Sequence, residues 1–200
     1  KIYQSRDLLL TELMPIVDNF GLIISSQYST PVDVKGESPQ QIDSFLIAGV
    51  PNLHPSEIMA RSHLLVAGLE AVFQKHIPSD PFNRLVLTAG LSWEHVDLIR
   101  GIMLYTRQLS LRHTLNQVQQ ILLKQSVVVS AIVQLFEARF NPDLVGDRAT
   151  ATEAANLKAL DLLKQLQTAD EDTVLRSLYN IVEAMIRTNF YRNDRVCHYI

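Results

Sequence analysis

Cysteine is all but missing: Cys197 stands alone in 200 residues. One thiol excludes an internal disulfide and any Cys-based zinc cage, and agrees with a reducing compartment. Glycine and proline are also scarce, at seven and eight residues. That is too few for a linker, a collagen-like repeat or a mucin-like stalk. No excess of positive charge is present either, since 18 Lys and Arg face 21 Asp and Glu, a formal net charge of −3. A basic nucleic-acid face and a polybasic membrane patch are therefore not expected. All of the acidic excess lies in residues 1–50, and the remaining 150 residues balance. Long apolar runs are missing as well. The longest charge-free helical stretch, Gln125 to Phe136, falls far short of the roughly 20 residues that span a bilayer. The chain opens at Lys1 without Met or a signal-peptide pattern and is expected to be a piece of a longer polypeptide.

What the sequence does have is a core: 47% of its residues are hydrophobic. Lys1-Ile2-Tyr3 reads as the stump of a strand. From Asp7, apolar residues at Leu9, Leu10, Leu13, Ile16, Val17 and Phe20 recur at helical spacing, and Gly21 supplies a stop. Leu22 to Tyr28 and Gln41 to Ile47 read as strands, separated by a polar loop over 30–40. From Pro55 onward the pattern is helical. The expected helices run from Pro55 to His76, from Pro81 to Gly90, from Trp93 to Leu109 behind a Ser92 cap, and from Thr114 to Lys124. Others follow from a Ser126 cap to Phe140, from Arg148 to Gln167, and from the acidic cap Asp170-Glu171-Asp172. The core stripes are read as Leu157, Leu160, Leu163 and Leu166 in one helix, and Val174, Leu178, Ile181, Met185 and Ile186 in the last. Asp172–Arg176 and Glu183–Arg187 are spaced as i,i+4 ion pairs.

The expected fold is α+β and predominantly α: a small strand-helix-strand-strand unit over 1–52, a helical bundle over 53–192 and a tail over 193–200.

Site chemistry is thin. No two of His54, His63, His76, His95, His113 and His198 have the i,i+4 spacing of a metalloprotease helix, and Glu94-His95 lacks a second histidine. Cys197 beside His198 has nucleophile chemistry, yet sequence neighbours rarely meet in the geometry it needs. The Asp170-Glu171-Asp172 cluster is read as a helix cap rather than a cation site. Gly-x-Gly-x-x-Gly, Gly-Lys-Ser/Thr and Gly-x-Ser-x-Gly are all absent. No catalytic, cofactor-binding or metal residue is therefore assigned. Trp93, Tyr105, Phe136, Phe140 and Phe190 are read as core aromatics. Arg84, Arg100, Arg107, Arg139 and Arg187 each lie beside an apolar stripe. An arginine there either forks onto buried or interfacial carboxylates and carbonyls or snorkels along a solvated edge. Arg84, Trp93, Arg107, Arg139 and Arg187 are the candidate interface and structural residues.

Four blocks, in order, resemble one family. They are Pro81-Phe82-Asn83-Arg84-Leu85-Val86-Leu87-Thr88-Ala89-Gly90-Leu91-Ser92-Trp93, then Tyr105-Thr106-Arg107-Gln108, then Leu135-Phe136-Glu137-Ala138-Arg139-Phe140-Asn141-Pro142. The fourth is Asp170-Glu171-Asp172 with Leu175-Arg176 and Arg187-Thr188-Asn189-Phe190. Together they resemble the large bacterial-type NAD-specific glutamate dehydrogenases. Leu13-Met14-Pro15-Ile16-Val17-Asp18-Asn19-Phe20-Gly21-Leu22 resembles the helix-to-strand segment of an ACT-like regulatory unit in those enzymes. Asn141 stands where the family more often has Asp, residues 109–130 follow the family loosely, and loop 30–40 and stretch 48–60 are particular to this sequence.

The resemblance implies a non-catalytic internal piece: the end of the ACT-like region and the helical region before the catalytic domain. It implies that NAD is the cofactor of the parent enzyme, bound outside this piece. The implied partners are the catalytic domain of the same polypeptide and other subunits of a homo-oligomer, with an amino-acid effector as a further one. Nucleic acid and membrane are not among them, and the implied location is cytoplasmic. The alternative is a free-standing ACT-like module that senses an amino acid.

Overall fold

A computed structural model describes residues 1–4, 9–32, 40–109 and 112–192. The expected helix start at Asp7, most of loop 30–40, the Cys197-His198 pair and the tail 193–200 lie outside the described residues. The chain divides into two compact units, Lys1–Leu87 and Thr88–Ile200.

The first unit opens as strand-helix-strand-strand: β1 (Ile2–Gln4), α1 (Leu10–Asn19), β2 (Ile23–Val32) and β3 (Gln40–Gly49). The three strands form one antiparallel sheet in the order β1-β3-β2, with Ile2 opposite Asp43 and Ser29 opposite Asp43 on the other side. The 2–3 strand pairing runs longer than the apolar spacing suggests, to Val32 and back from Gln40, because backbone ladder bonds carry it through polar residues. Leu13, Val17 and Phe20 are the buried stripe of α1, while Leu9 and Leu10 are exposed. Gly21 follows at φ +79°; its N–H donates to Asp18 O at 2.8 Å, and its left-handed conformation turns the next N–H, that of Leu22, back to Val17 O at 3.4 Å, ending the helix.

The single helix expected from Pro55 to His76 is two, α2 (Pro55–Ala60) and α3 (Ser62–Phe73). The break falls at Arg61, whose backbone leaves the helical region at φ −96° and ψ 7°, and beside it the Ser62 hydroxyl donates to Met59 O at 2.7 Å. At the far end α3 stops three residues before His76. Lys75 takes φ +60°, its N–H donates to Val72 O at 3.0 Å, and the His76 N–H donates to Ala71 O at 2.8 Å. These two bonds make a Schellman stop built without glycine, so no stop signal marks it in the sequence. Asp80 then caps a 3-10 turn (Pro81–Arg84) through Phe82 N, and the short helix α4 (Leu85–Thr88) follows. Phe20, Phe82, Leu85, Val86 and Leu87 are sealed from solvent in this unit.

The second unit is helical: α5 (Trp93–Gln108), α6 (Leu115–Lys124), α7 (Ser126–Phe140), α8 (Arg148–Leu163) and α9 (Ala169–Ala184). Ser92 caps α5 through His95 N, and Thr114 with Gln117 forms a capping box on α6. Ser126 does not cap α7; it is the helix's first residue, behind Gln125, which makes no side-chain cap. The charge-free run Gln125–Phe136 is explained by α7's place in the core, with Val128, Val129, Ala131, Ile132, Val133, Leu135 and Phe136 all buried. Among the described residues no single helix is long and apolar enough to cross a membrane; α6 and α7 reach that length only as a pair, bent by 89°.

Two stripes differ from expectation. In α8 the buried positions are Ala159 and Leu163, whereas Leu157 is 56% exposed. Leu163 is buried as read and Leu160 and Leu166 are half-buried, so the stripe departs at Leu157, while Thr152 donates to Ala138 O of α7 at 3.3 Å. In the last helix Val174 and Leu178 are buried as read, but α9 ends at Ala184 and Ile186 is 93% exposed. Arg187 therefore lies outside helical register with Glu183. The other expected pair forms, with Arg176 Nε donating to both Asp172 oxygens at 3.1 Å.

Candidate functional site

Helix C-termini leave carbonyls without intrahelical partners, and this chain answers that need with arginine. In the first unit Arg84 Nε and Nη2 each donate to Asp18 O at 3.3 Å, closing the end of α1, and Nη2 also reaches Asp18 Oδ2 at 3.3 Å. Arg61 donates to Leu87 O in the last turn of α4. In the second unit Arg139 donates to Val182 O and Glu183 O at 2.5 Å and to Met185 O at 2.9 Å, closing α9. Arg148 donates to Ala138 O, Arg139 O and Asn141 O at 3.2, 2.9 and 2.7 Å, closing α7. A guanidinium suits this place twice over, by its planar set of donors and by its positive charge at the negative end of the helix dipole.

Of the residues picked from sequence, Arg84 and Arg139 have this role. Trp93 is half-buried at the first position of α5, and Arg107 and Arg187 are exposed. Phe136 and Phe190 are buried as read, whereas Tyr105 is 43% exposed. Arg61 and Arg148 escaped sequence reading, because neither sits beside an apolar stripe; the one available signal was Arg148's position just after the Asn141-Pro142-Asp143 break.

A second fastening was also missed. His95 Nε2 meets Glu137 Oε1 at 2.5 Å, tying α5 to α7, while Ser92 Oγ lies 3.0 Å from Nδ1 and Phe190 stacks on the ring at 5.0 Å. Burial works against ionisation of Glu137, but the hydrogen bond from His95 and that from Asn141 Nδ2 at 2.8 Å outweigh it and hold the carboxyl below the ordinary glutamate value. Phe136 packs edge-on against Phe190 at 5.2 Å, so the segment after α9 is pinned by an aromatic cluster.

The acidic cluster lies within the first turn of α9 and not at its cap, which is Thr168, and one of its members serves as an anchor. Thr168 Oγ1 accepts from Glu171 N at 3.2 Å, and buried Glu171 takes the Lys124 ammonium at 2.7 Å. The hydrogen bond from Lys124 is the main reason its carboxyl is held down to about 2. No group of three or more His, Cys, Asp or Glu suited to a metal ion occurs among the described residues.

Beside this anchor lies an open cleft of about 730 Å³, formed by the end of α5, the start of α6 and one flank of α9. Arg112, His113, Gln117, Asp170, Thr173 and Ser177 line it. His113 Nε2 lies 3.1 Å from Asp170 Oδ1. A neighbouring opening, of about 520 Å³, brings Arg107 and Arg112 to the same edge.

Residues 77–142 match the family model described as glutamate dehydrogenase, helical motif 3. The chain is 30% identical over 192 residues to the NAD-specific glutamate dehydrogenase of Mycobacterium tuberculosis. It is 28% identical over 201 residues to that of Pseudomonas aeruginosa and 23% identical over 191 residues to that of Halomonas elongata. These alignments take in 93, 97 and 95% of this chain, but 12% of each relative. The chain is thus similar, along almost all of its length, to one segment of those much longer proteins.

Proposed function

We propose that this chain is a structural and regulatory segment of an NAD-dependent glutamate dehydrogenase, without catalytic groups of its own, that organises domain or subunit packing in the parent enzyme. The observation that carries this is the alignment itself: over nine-tenths of the chain matches NAD-specific glutamate dehydrogenases, and the helical motif of residues 77–142 sits within that match. The reaction of the parent would be oxidation of L-glutamate by NAD and water to 2-oxoglutarate, ammonia and NADH, carried out in the cytoplasm. The residues described here do not fit NAD. There is no glycine-rich turn between a strand and a helix, the element that cradles a dinucleotide pyrophosphate. The nucleotide would be held by the remainder of the polypeptide.

The physical case for a packing role rests on how the charged side chains are used. Arg61, Arg84, Arg139 and Arg148 all close helix ends, and His95–Glu137 and Lys124–Glu171 cross-link helices. Within each unit such contacts hold helix ends and neighbouring helices in place, as a packing segment requires. The partners in this reading are the catalytic domain of the same polypeptide and other subunits of a homo-oligomer.

The test is made on the full parent polypeptide. It should reduce NAD with L-glutamate, and an Arg139→Met change in it should lower thermal stability and oligomer content while leaving the KM for both substrates unchanged. A parent protein without NAD-linked glutamate oxidation, or glutamate dehydrogenase activity from the 200-residue chain alone, would overturn the proposal.

A further inference from the structure

Between Asp97 and Glu137 the sequence holds no acidic residue, although Arg100, Arg107, Arg112 and Lys124 all fall in that stretch. The fold neutralises two of these cations. Arg100 Nη1 meets Asp97 Oδ1 at 2.6 Å, and Lys124 Nζ meets Glu171 Oε1 at 2.7 Å. Arg107 and Arg112 are exposed and make no ion pair or hydrogen bond among the described residues. Asp170, which lines the neighbouring cleft, is engaged by His113. Arg107 stands in the last turn of α5, where its charge suits the helix dipole. Unlike Arg61, Arg84, Arg139 and Arg148, it donates to no carbonyl. Apolar side chains lie beside these two guanidinium groups. Leu104 is 45% exposed, Tyr105 43% and Leu109 58%. Tyr105 and Leu109 are four residues apart and so neighbours on the helix surface, with Leu104 adjoining. Leu104, Gln108 and both arginines line one opening of about 520 Å³.

A single exposed leucine is ordinary, but an apolar strip bordered by unpaired charge marks a surface that a partner covers. Its charge states the partner's: two arginine forks, with no acid of their own, complement carboxylates. Its shape states the partner's form, since the strip runs along a helix and the complement of a helical ridge is a second helix laid across it. The apolar strip has no use on a phosphate backbone, and a flat bilayer offers nothing that projects into the opening. We propose that the C-terminal end of α5 is a docking surface for an acidic amphipathic helix of a partner protein. The apolar stripe of that helix lies on Leu104, Tyr105 and Leu109, and Arg107 and Arg112 take its flanking carboxylates. The surface is read from its own charge and apolarity, and does not rest on the packing role in a parent enzyme proposed above.

The probe is a fluorescent synthetic helix with leucine along one stripe, glutamate on both flanks and alanine elsewhere. Its two controls carry lysine in place of glutamate, or serine in place of leucine. Anisotropy titrations with the 200-residue chain should give a Kd below about 1 mM for the acidic helix at low salt. Both controls should bind at least about tenfold more weakly, and added salt should weaken the acidic helix. Arg107→Glu and Arg112→Glu together should reverse the preference, so that the lysine helix binds better than the glutamate one. Leu109→Ser should weaken the acidic helix without reversing the preference. All three side chains are exposed, and an unchanged melting temperature verifies that each variant is folded. The proposal fails if the lysine helix binds the unaltered chain as well as the acidic one, or if the double substitution leaves the preference intact. Tighter binding to phosphatidylserine vesicles, lost in the same variants, would make the surface a membrane contact instead. Self-association of the chain abolished by the same substitutions would put a second copy there, and either result overturns the proposal. None of these outcomes bears on glutamate-dependent reduction of NAD by the parent polypeptide, which tests the earlier reading separately.

Discussion

Replacing Arg139 by Met removes one guanidinium and leaves the carbonyls of Val182, Glu183 and Met185 at the end of α9 without their donor. Methionine keeps most of the apolar stem, so the loss is concentrated in the charged head. A hydrogen bond to a charged group contributes about 1.5–3 kcal/mol, and a cation at a helix C-terminus about 0.3–1 kcal/mol. The three bonds share one group, and water reaches part of the opened helix end, so the contributions do not add in full. The expected net cost is about 2–3 kcal/mol. For a chain of this size that lowers the melting temperature by roughly 5–10 °C. The centroid of the Phe140 ring lies 5.1 Å from the guanidinium carbon, and this cation–π contact is lost as well. Thermal and urea unfolding followed by far-ultraviolet circular dichroism would measure the change. Arg139→Lys separates charge from geometry: an ammonium restores the dipole interaction but cannot reach three divergent carbonyls, so it should recover less than half of the loss. A methionine variant within about 0.5 kcal/mol of the parent chain, or a lysine variant of full stability, would refute the capping argument.

Lys75→Gly should stabilise the first unit by about 0.5–1 kcal/mol, because glycine adopts the positive φ of the α3 stop without the steric cost paid by lysine; an unchanged or lower melting temperature would refute it. Gly68→Ala should destabilise the same unit by about 1 kcal/mol. The new methyl would lie 2.9 Å from Cε1 of Phe20, whose ring is sealed from solvent, and that overpacking exceeds the helix-propensity gain. A stabilised alanine variant would show that the ring yields. Glu171 ionises well below its ordinary value of 4.5, so its pairing with Lys124 stabilises the fold fully above pH 4.5 and is lost as the pH falls toward 2. Glu171→Gln should therefore be less stable than the parent chain at neutral pH, with the gap closing between pH 4.5 and 2; a gap that stays constant over that range would be inconsistent with the ion pair.

The elements that announce themselves by side-chain chemistry were legible in sequence. Ser92 and Thr114 sit where their oxygens meet the third backbone N–H of a helix, and Gly21 sits where only a left-handed residue ends α1 economically in space. The strand-helix-strand-strand order of the first unit and the helical character of the second follow from periods of two and 3.6 residues. Illegible were features that depend on tertiary distances. The Lys75 stop has no glycine to mark it, and the break at Arg61 is a backbone turn that no glycine or proline announces. In α8 the burial of Ala159 and the exposure of Leu157 were illegible, because leucine outranks alanine on any hydrophobicity scale. His95 looked ordinary because its partner, Glu137, is 42 residues away.

The same distinction separates the two roles of arginine in this chain. Arg61, Arg84, Arg139 and Arg148 point at backbone carbonyls within their own unit, and the fold consumes their donors. Arg107 and Arg112 line openings on the helical unit and are exposed. If only the first group fastens helix ends, substitutions in the two groups must differ in their effect on stability. Arg148→Met should lower stability as Arg139→Met does, since it uncovers three carbonyls at the end of α7. Arg112→Met, which removes an exposed guanidinium, should leave the melting temperature unchanged. A melting temperature lowered as far by Arg112→Met as by Arg148→Met would refute the division between arginines that fasten the fold and arginines that do not.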